Sequence, residues 1–177
     1  MNPRQKRLIK DYDDLVKLRE QSNGMLDFRV DKNYHRYVIT ISKIETLVGT
    51  TEKNAIKQSR HVFTIELSPE YPVKQPDVRF KKTIFHPNWY PDGRVCYGHQ
   101  WAPGDKLSEL VIDTVKMMLF EIVDAKDPAN RDANRWYLRN KENIRNIIPK
   151  VEFPPPYSGS ELEIVEEEEE ADGLEFY

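Results

Sequence analysis

The only cysteine among 177 residues, Cys96, stands eight residues after Asn88 and three before His99, within TIFHPNWYPDGRVCYGHQW at residues 83–101. A thiol works as a nucleophile when it is accessible and when its thiolate, or the tetrahedral adduct it forms, is stabilised. Asn88 suits the second task, because a neutral side-chain amide hydrogen-bonds an oxyanion without titrating. His99 suits the role of base in a Cys/His pair. Against these stands a plainer reading, that a single cysteine is a small buried apolar residue. Cys96, His99 and His86 are also three possible metal ligands, yet with no second cysteine and no paired spacing no metal site is expected. His86, directly before Pro87, reads as a hydrogen-bonded structural residue.

Composition bounds what surrounds this stretch. The length suits one domain with a proper core. One cysteine rules out an intramolecular disulfide, so cytoplasmic is the default compartment. No apolar run approaches the ~20 residues of a membrane helix, and the basic N-terminus lacks the apolar segment of a signal peptide. No membrane partner is expected. The net charge of −3 hides an asymmetry, because residues 161–177 hold nine acids and no Lys or Arg. Residues 1–160 are left with 27 basic against 21 acidic residues. Such a body suits an acidic protein surface or nucleic acid by charge alone.

The elements that must position Cys96 follow from periodicity. Asn2-Pro3 starts a helix over 3–21, with Leu8, Ile9, Tyr12, Leu15 and Val16 on one face and Asn23-Gly24 as its stop. Period-two segments at Leu26–Val30, Tyr37–Ile41, Phe63–Leu67 and Val78–Phe80 predict an antiparallel meander with one buried face. The polar segment 45–60 is expected to be a long hairpin loop or a frayed strand end, and Pro69, Pro72 and Pro76 to stop the sheet. Leu107, Leu110, Val111, Thr114, Val115, Met118 and Ile122 predict a helix over 106–123, with Asp105 as its N-cap. A third helix carries Ala133, Trp136 and Tyr137, and a fourth spans 141–149. The class is α+β: an N-terminal helix, four strands, an irregular stretch, then two to three helices. Residues 1–153 form the folded core. The acid run of 154–177 buries too little apolar area to offset ordering entropy and is expected to be a disordered tail.

The run FTIELSPEYPVKQPDVRFKKTIFHPN, Phe63 to Asn88, resembles the centre of the ubiquitin-conjugating enzymes. The likeness continues in Gly93-Arg94-Val95 before Cys96, in Trp101-Ala102-Pro103, and in Asp127-Pro128-Ala129-Asn130 followed by Ala133 and Tyr137. It covers about residues 3–150. The resemblance implies that Cys96 takes the C-terminal carboxyl of ubiquitin or a ubiquitin-like protein as a thioester and that a lysine amine then attacks it. No cofactor is implied for this chain, because the activating enzyme spends the ATP. Asn88 would steady the oxyanion or brace the loop, while His86, Pro87 and Trp101 would be structural at the site. Asp127 would orient the incoming lysine and favour its neutral form, or else cap the third helix, with Asp124 as the fallback acid. The activating enzyme would meet Arg4, Lys6, Arg7 and Lys10 on the first helix. A ligase would meet the turns Tyr71-Pro72-Val73 and Ala102-Pro103. With partners of this kind, no nucleic acid is expected.

Departures from the family pattern point to a divergent branch, such as a prokaryotic conjugation system. Only four residues separate Cys96 from Trp101, which brings His99 close to the thiol, and the link before Asp127 lacks the usual Pro-Asn-Pro. Two other functions stay open: a non-catalytic module that binds a ubiquitin-like protein, and a thiol hydrolase using Cys96 and His99. In the tail, Leu162-Glu163-Ile164-Val165 and the five glutamates after it resemble a motif that adds an apolar strand to the sheet of a ubiquitin-like protein.

Overall fold

The computed structural model describes residues 1–51 and 54–156. Helix α1 (Pro3–Gln21) opens as expected. Asn2 accepts from the Gln5 N–H at 2.8 Å and Gln5 bonds back to the Asn2 N–H, a reciprocal cap that satisfies two otherwise orphaned donors. Strands β1 (Leu26–Val30), β2 (Arg36–Thr50), β3 (Ala55–Glu66) and β4 (Asp77–Phe80) form an antiparallel sheet in sequential order. The register explains the alternation. Phe28, Ile39, Phe63 and Phe80 are cross-strand partners in one row, Val30, Tyr37, Ile65 and Val78 in the next. Apart from half-buried Val30, these side chains are buried. They share one core with Leu8, Leu15 and Leu18 of α1 and with helix α2 (Leu107–Met118).

Several boundaries differ from the sequence reading, each for a physical reason. Residues 45–50 and 55–60 are strand rather than loop, since β2 runs on to Thr50 and β3 begins at Ala55. Lys43 takes a left-handed φ of 64°, and the register shifts between Ser42 and Thr46 and again between Leu47 and Gly49. Bulges of this kind change the phase of inward and outward side chains, so Ile44, Thr46 and Leu47 are all buried. Period two is lost although the ladder continues. The bulged strand also serves α2: the Thr46 hydroxyl donates to the Met118 carbonyl at that helix's end.

Lys106, not Asp105, is the N-cap of α2, and it makes no side-chain cap bond. The Asp105 carboxylate instead accepts from the Ala102 N–H at 2.8 Å. The helix stops at Met118, because Phe120 turns left-handed (φ 55°) and Arg145 takes the Leu119 and Phe120 carbonyls at 2.9 and 3.1 Å. Ile122 therefore lies outside the helix and 37% exposed. Helix α3 (Arg131–Asn140) carries Ala133, Trp136 and Tyr137, and the expected fourth helix is a 3₁₀ turn (Lys141–Asn143) followed by α4 (Ile144–Ile147). Phe153 is buried near the end of the described chain. The acidic stretch and its Leu162–Val165 motif lie outside the described residues.

Candidate active site

Between β4 and α2 the chain is irregular in period yet closely hydrogen-bonded. Residues 88–96 form a miniature hairpin. The Cys96 N–H donates to the Asn88 carbonyl at 2.8 Å, Trp89 bridges Val95, and the Tyr90 N–H donates to the Arg94 carbonyl at 2.9 Å. Tyr90-Pro91-Asp92-Gly93 makes the turn, closed by the Gly93 N–H on the Tyr90 carbonyl at 3.0 Å. The eight-residue interval from Asn88 to Cys96 is thus a cross-strand pairing. Gly93 sits at φ 90°, and a Cβ there would lie 2.4 Å from the Phe80 carbonyl oxygen. That close approach brings the hairpin to the sheet edge, where Phe80 N–H meets the Gly93 carbonyl at 2.9 Å and Arg79 bridges Arg94. Trp89 then packs edge-on to Phe80 at 5.3 Å.

One limb of this hairpin is fixed from below. His86 is fully buried against Trp89 and Phe120, and its Nδ1 accepts the Asn88 N–H at 3.0 Å. Burial pushes its imidazole down to about 3, so the ring is neutral at physiological pH. The Pro87 carbonyl accepts from the Asn130 N–H at 2.9 Å. Asn88, itself buried, reaches across to Asp124: its Nδ2 donates to the Asp124 carbonyl and its Oδ1 accepts the Asp124 N–H, both at 2.9 Å. Bracing is therefore visible in the side-chain geometry, and one Nδ2 hydrogen lies beyond this pair of bonds.

The other limb carries Cys96, half-buried, with no hydrogen bond to its sulfur among the described residues. Tyr97 holds the next position through its buried hydroxyl, 2.7 Å from the Thr114 hydroxyl of α2. Gly98 (φ 72°) turns the chain over Asp124, whose Oδ2 would lie 3.7 Å from a Cβ at that glycine. The Asp124 Oδ1 accepts from the N–H groups of Lys126 and Asp127 at 3.0 and 3.3 Å. Asp124 thus organises the turn leading to Asp127. The Asp127 carboxylate is exposed and has no hydrogen bond or ion pair among the described residues. Nor does it cap α3, since Asn130 does, accepting from the Ala133 N–H at 3.0 Å. His99 is exposed, its Nδ1 3.2 Å from the Tyr97 carbonyl, and no hydrogen bond joins it to Cys96. Among the described residues no group of three His, Cys, Asp or Glu is placed to hold a metal ion.

The segments expected to meet partners prove to be physically joined. Trp101 Nε1 donates to the Pro72 carbonyl at 2.7 Å, tying the Ala102-Pro103 turn to the Tyr71–Val73 turn. Arg7 binds both to α1. Its Nη1 donates to the Pro103 carbonyl at 2.6 Å, Nη2 to the Asp105 carbonyl and to the Tyr71 hydroxyl, and Nε to the buried Asp11 at 2.8 Å. The Tyr71 hydroxyl donates to Asp11 at 2.5 Å, and burial and then the Asp11 bond push that phenol up. Arg4 is likewise engaged, with Nη2 donating to the Ser68 carbonyl at 3.1 Å and Nη1 3.0 Å from His35. Of Arg4, Lys6, Arg7 and Lys10, the two lysines stand free of the body, and Lys10 pairs with Asp14 along the helix. Val73, Ala102 and Pro103 are exposed. The spacing of Arg7 and Asp11, four apart, was a readable signal for this network; nothing in the sequence pointed to Tyr71 or Pro103.

Comparison with known proteins now places the chain. The family model described as "Ubiquitin-conjugating enzyme" matches residues 7–151. The chain belongs to the ubiquitin-conjugating enzyme family. It is similar to a ubiquitin-conjugating enzyme of African swine fever virus, 32% identical over 100 residues that cover 49% of this chain and 45% of that protein. A SUMO-conjugating enzyme of Dictyostelium discoideum is 35% identical over 98 residues, covering 52% of this chain and 61% of the relative. A ubiquitin-conjugating enzyme of Arabidopsis thaliana is 36% identical over 93 residues, covering 50% and 61%. The matched part of this ubiquitin-conjugating family member therefore spans about half to three fifths of these relatives' lengths. No helix among the described residues is long and apolar enough to cross a membrane.

Proposed function

We propose that this chain is a conjugating transferase that accepts ubiquitin or a ubiquitin-like protein on Cys96 and passes it to a lysine amine. The observation that carries the reading is the hairpin pairing of Cys96 with Asn88, with Asn88 bonded through both its amide atoms to Asp124. The thiolate attacks the activated modifier carbonyl delivered by an activating enzyme, forming a thioester and releasing that enzyme's own thiol. The lysine amine then attacks the thioester carbon, the amide bond forms, and the Cys96 thiolate leaves. Asn88 supports this by holding the loop still, with its remaining amide hydrogen as the group to offer an oxyanion. Asp127, whose carboxylate has no partner among the described residues, is the residue to receive the incoming ammonium and favour loss of its proton. Asp124 positions and does not react. The chain needs no cofactor, because ATP is used by the activating enzyme. That enzyme meets α1 through Lys6 and Lys10, and a ligase meets the joined turns at Val73 and Pro103. The names of the relatives support a modifier of the ubiquitin or SUMO kind.

The test is a charging reaction with activating enzyme, ATP and modifier, read on a non-reducing gel. A thiol-sensitive adduct is expected, converted to a thiol-resistant one by Cys96→Ser. Absence of an adduct with ubiquitin and with SUMO would count against the reading. Asp127→Ala is expected to leave charging intact and slow discharge to free lysine by about 10²-fold or more, the scale of a lost acid–base group. Equal loss of both steps would remove Asp127 from its assigned role.

A further inference from the structure

The chain sets a run of acids apart from a stripe of arginines. Residues 157–177 contain nine acids and no Lys or Arg, five of them consecutive at Glu166–Glu170. Helix α3 carries Arg131, Arg135 and Arg139 at i, i+4 and i+8, all exposed. Only Arg135 has an acidic partner, Asp132; Arg131 and Arg139 make no ion pair or side-chain hydrogen bond among the described residues. Like charges four apart destabilise a helix, so this stripe is not there for the stability of α3. Beside it runs a groove of about 780 Å³ between α3 and the outer end of the β2–β3 hairpin. Phe85, Trp136 and Ile147 supply its apolar lining, and Arg135, paired with Asp132, and the unpaired Arg139 stand on one wall.

We infer that this groove is the docking site of the chain's own C-terminal segment, with Leu162, Ile164 and Val165 against the apolar lining and Glu166–Glu170 along the arginine stripe. The reach is sufficient. Pro156 lines the same surface pocket as Lys150, and Lys150 is three residues from Ile147 of the groove, at most about 11 Å of chain. The groove therefore begins roughly 20 Å from Pro156, and the six residues 157–162 span about 20 Å when extended, which brings Leu162 to its near end. Exposed ion pairs are individually weak. A tether makes that adequate, because it presents the segment at an effective concentration of about millimolar. The location gives the contact a consequence: α3 starts directly after Asn130, whose N–H bonds the Pro87 carbonyl beside Asn88. A partner with an acidic surface would have to displace the segment to reach this face.

The experiment is ¹⁵N–¹H spectroscopy of the full chain at low salt. The wild type is compared with a variant in which Glu166→Gln through Glu170→Gln remove the charge. The amides of Arg131–Asn140 and the Trp136 indole N–H are expected to move in the variant, and those of β1 to stay. About 0.5 M NaCl, which shortens the screening length to a few ångströms, should move the wild-type signals the same way. In an Arg135→Glu/Arg139→Glu background the α3 signals should no longer respond to the glutamate changes. Superimposable α3 signals in wild type and glutamine variant would overturn the inference, as would an unchanged response in the double-arginine background. A response that grows with protein concentration would overturn it too, assigning the contact to a second copy. So would a segment that responds only when a ubiquitin-like protein is added.

Discussion

Helices α1 and α3 both place arginines at helical spacing, and the fold treats them in opposite ways. Arg4 and Arg7 turn inward, and Arg7 alone satisfies two backbone carbonyls, a phenol and a buried carboxylate. Arg131, Arg135 and Arg139 are exposed, and among the described residues Arg135 alone has an acidic partner. The first pair is construction, since it joins α1 to the Tyr71 and Pro103 turns. The second set is surface, available to whatever anion arrives. Equal formal charge in the sequence thus says little about where positive potential is presented. That depends on which carbonyls and carboxylates the tertiary fold brings within reach.

The largest effect that would sharpen this contrast is expected from Arg7→Ala. It leaves Asp11 buried without its cation, a loss of about 3 kcal/mol, read as a lower urea midpoint at unchanged m. If the midpoint shifts no more than for a surface residue, the inward arginine is not structural.

His86 is a third kind of case, a group whose charge the fold refuses. Its folded pKa of about 3 lies below the ordinary histidine value of 6.5 because of burial. The unfolded chain therefore binds the extra proton first as pH falls, and stability present above about 6.5 is lost on acidification. The expected slope is about 1.4 kcal/mol per pH unit below that point, or about 3 kcal/mol by pH 4. His61, also pushed down by burial, adds to it in the same direction. His86→Gln should flatten the curve, checked by urea unfolding across the range. A variant with the wild-type slope would transfer the effect to His61 and the carboxylates.

Next in size is Asn88→Ala, which orphans both backbone groups of Asp124. About 2 kcal/mol is expected, with faster amide exchange at Asp124 and Lys126, and no change there would deny the brace. The smallest effect closes the comparison: Arg139→Ala should leave global stability within about 0.5 kcal/mol. A larger loss would mean that α3, too, uses its arginines internally.

Much of the architecture was legible because it rests on local rules. The Asn2 cap, the apolar stripe of α2 and the alternation of Phe28, Ile39, Phe63 and Phe80 are set by neighbours within a few residues. Reading failed where a single backbone angle reset the phase, as at Lys43, which made a continued strand look like a loop. It failed again where two candidates for one cap lay close together. Asp105 and Asp127 had the right chemistry, but Lys106 and Asn130 had the position. At the candidate site the interval from Asn88 to Cys96 was readable, and its cause was not. The partner of Asn88 is the backbone of a residue 36 positions away, and a main-chain partner leaves no signature in residue type. His99 is a related case, since its Nδ1 lies against the Tyr97 carbonyl, another main-chain partner that residue type does not announce.

The miniature hairpin makes the interval from Asn88 to Cys96 a matter of slip and not of length. Side chains alternate faces along each limb, so sliding one limb past the other by one residue would turn the thiol to the opposite face. Residues added at the Pro91-Asp92 tip enlarge the turn and leave the pairings of Trp89 with Val95 and of Asn88 with Cys96 in place. The tip is therefore where an inserted tag would disturb the thiol least.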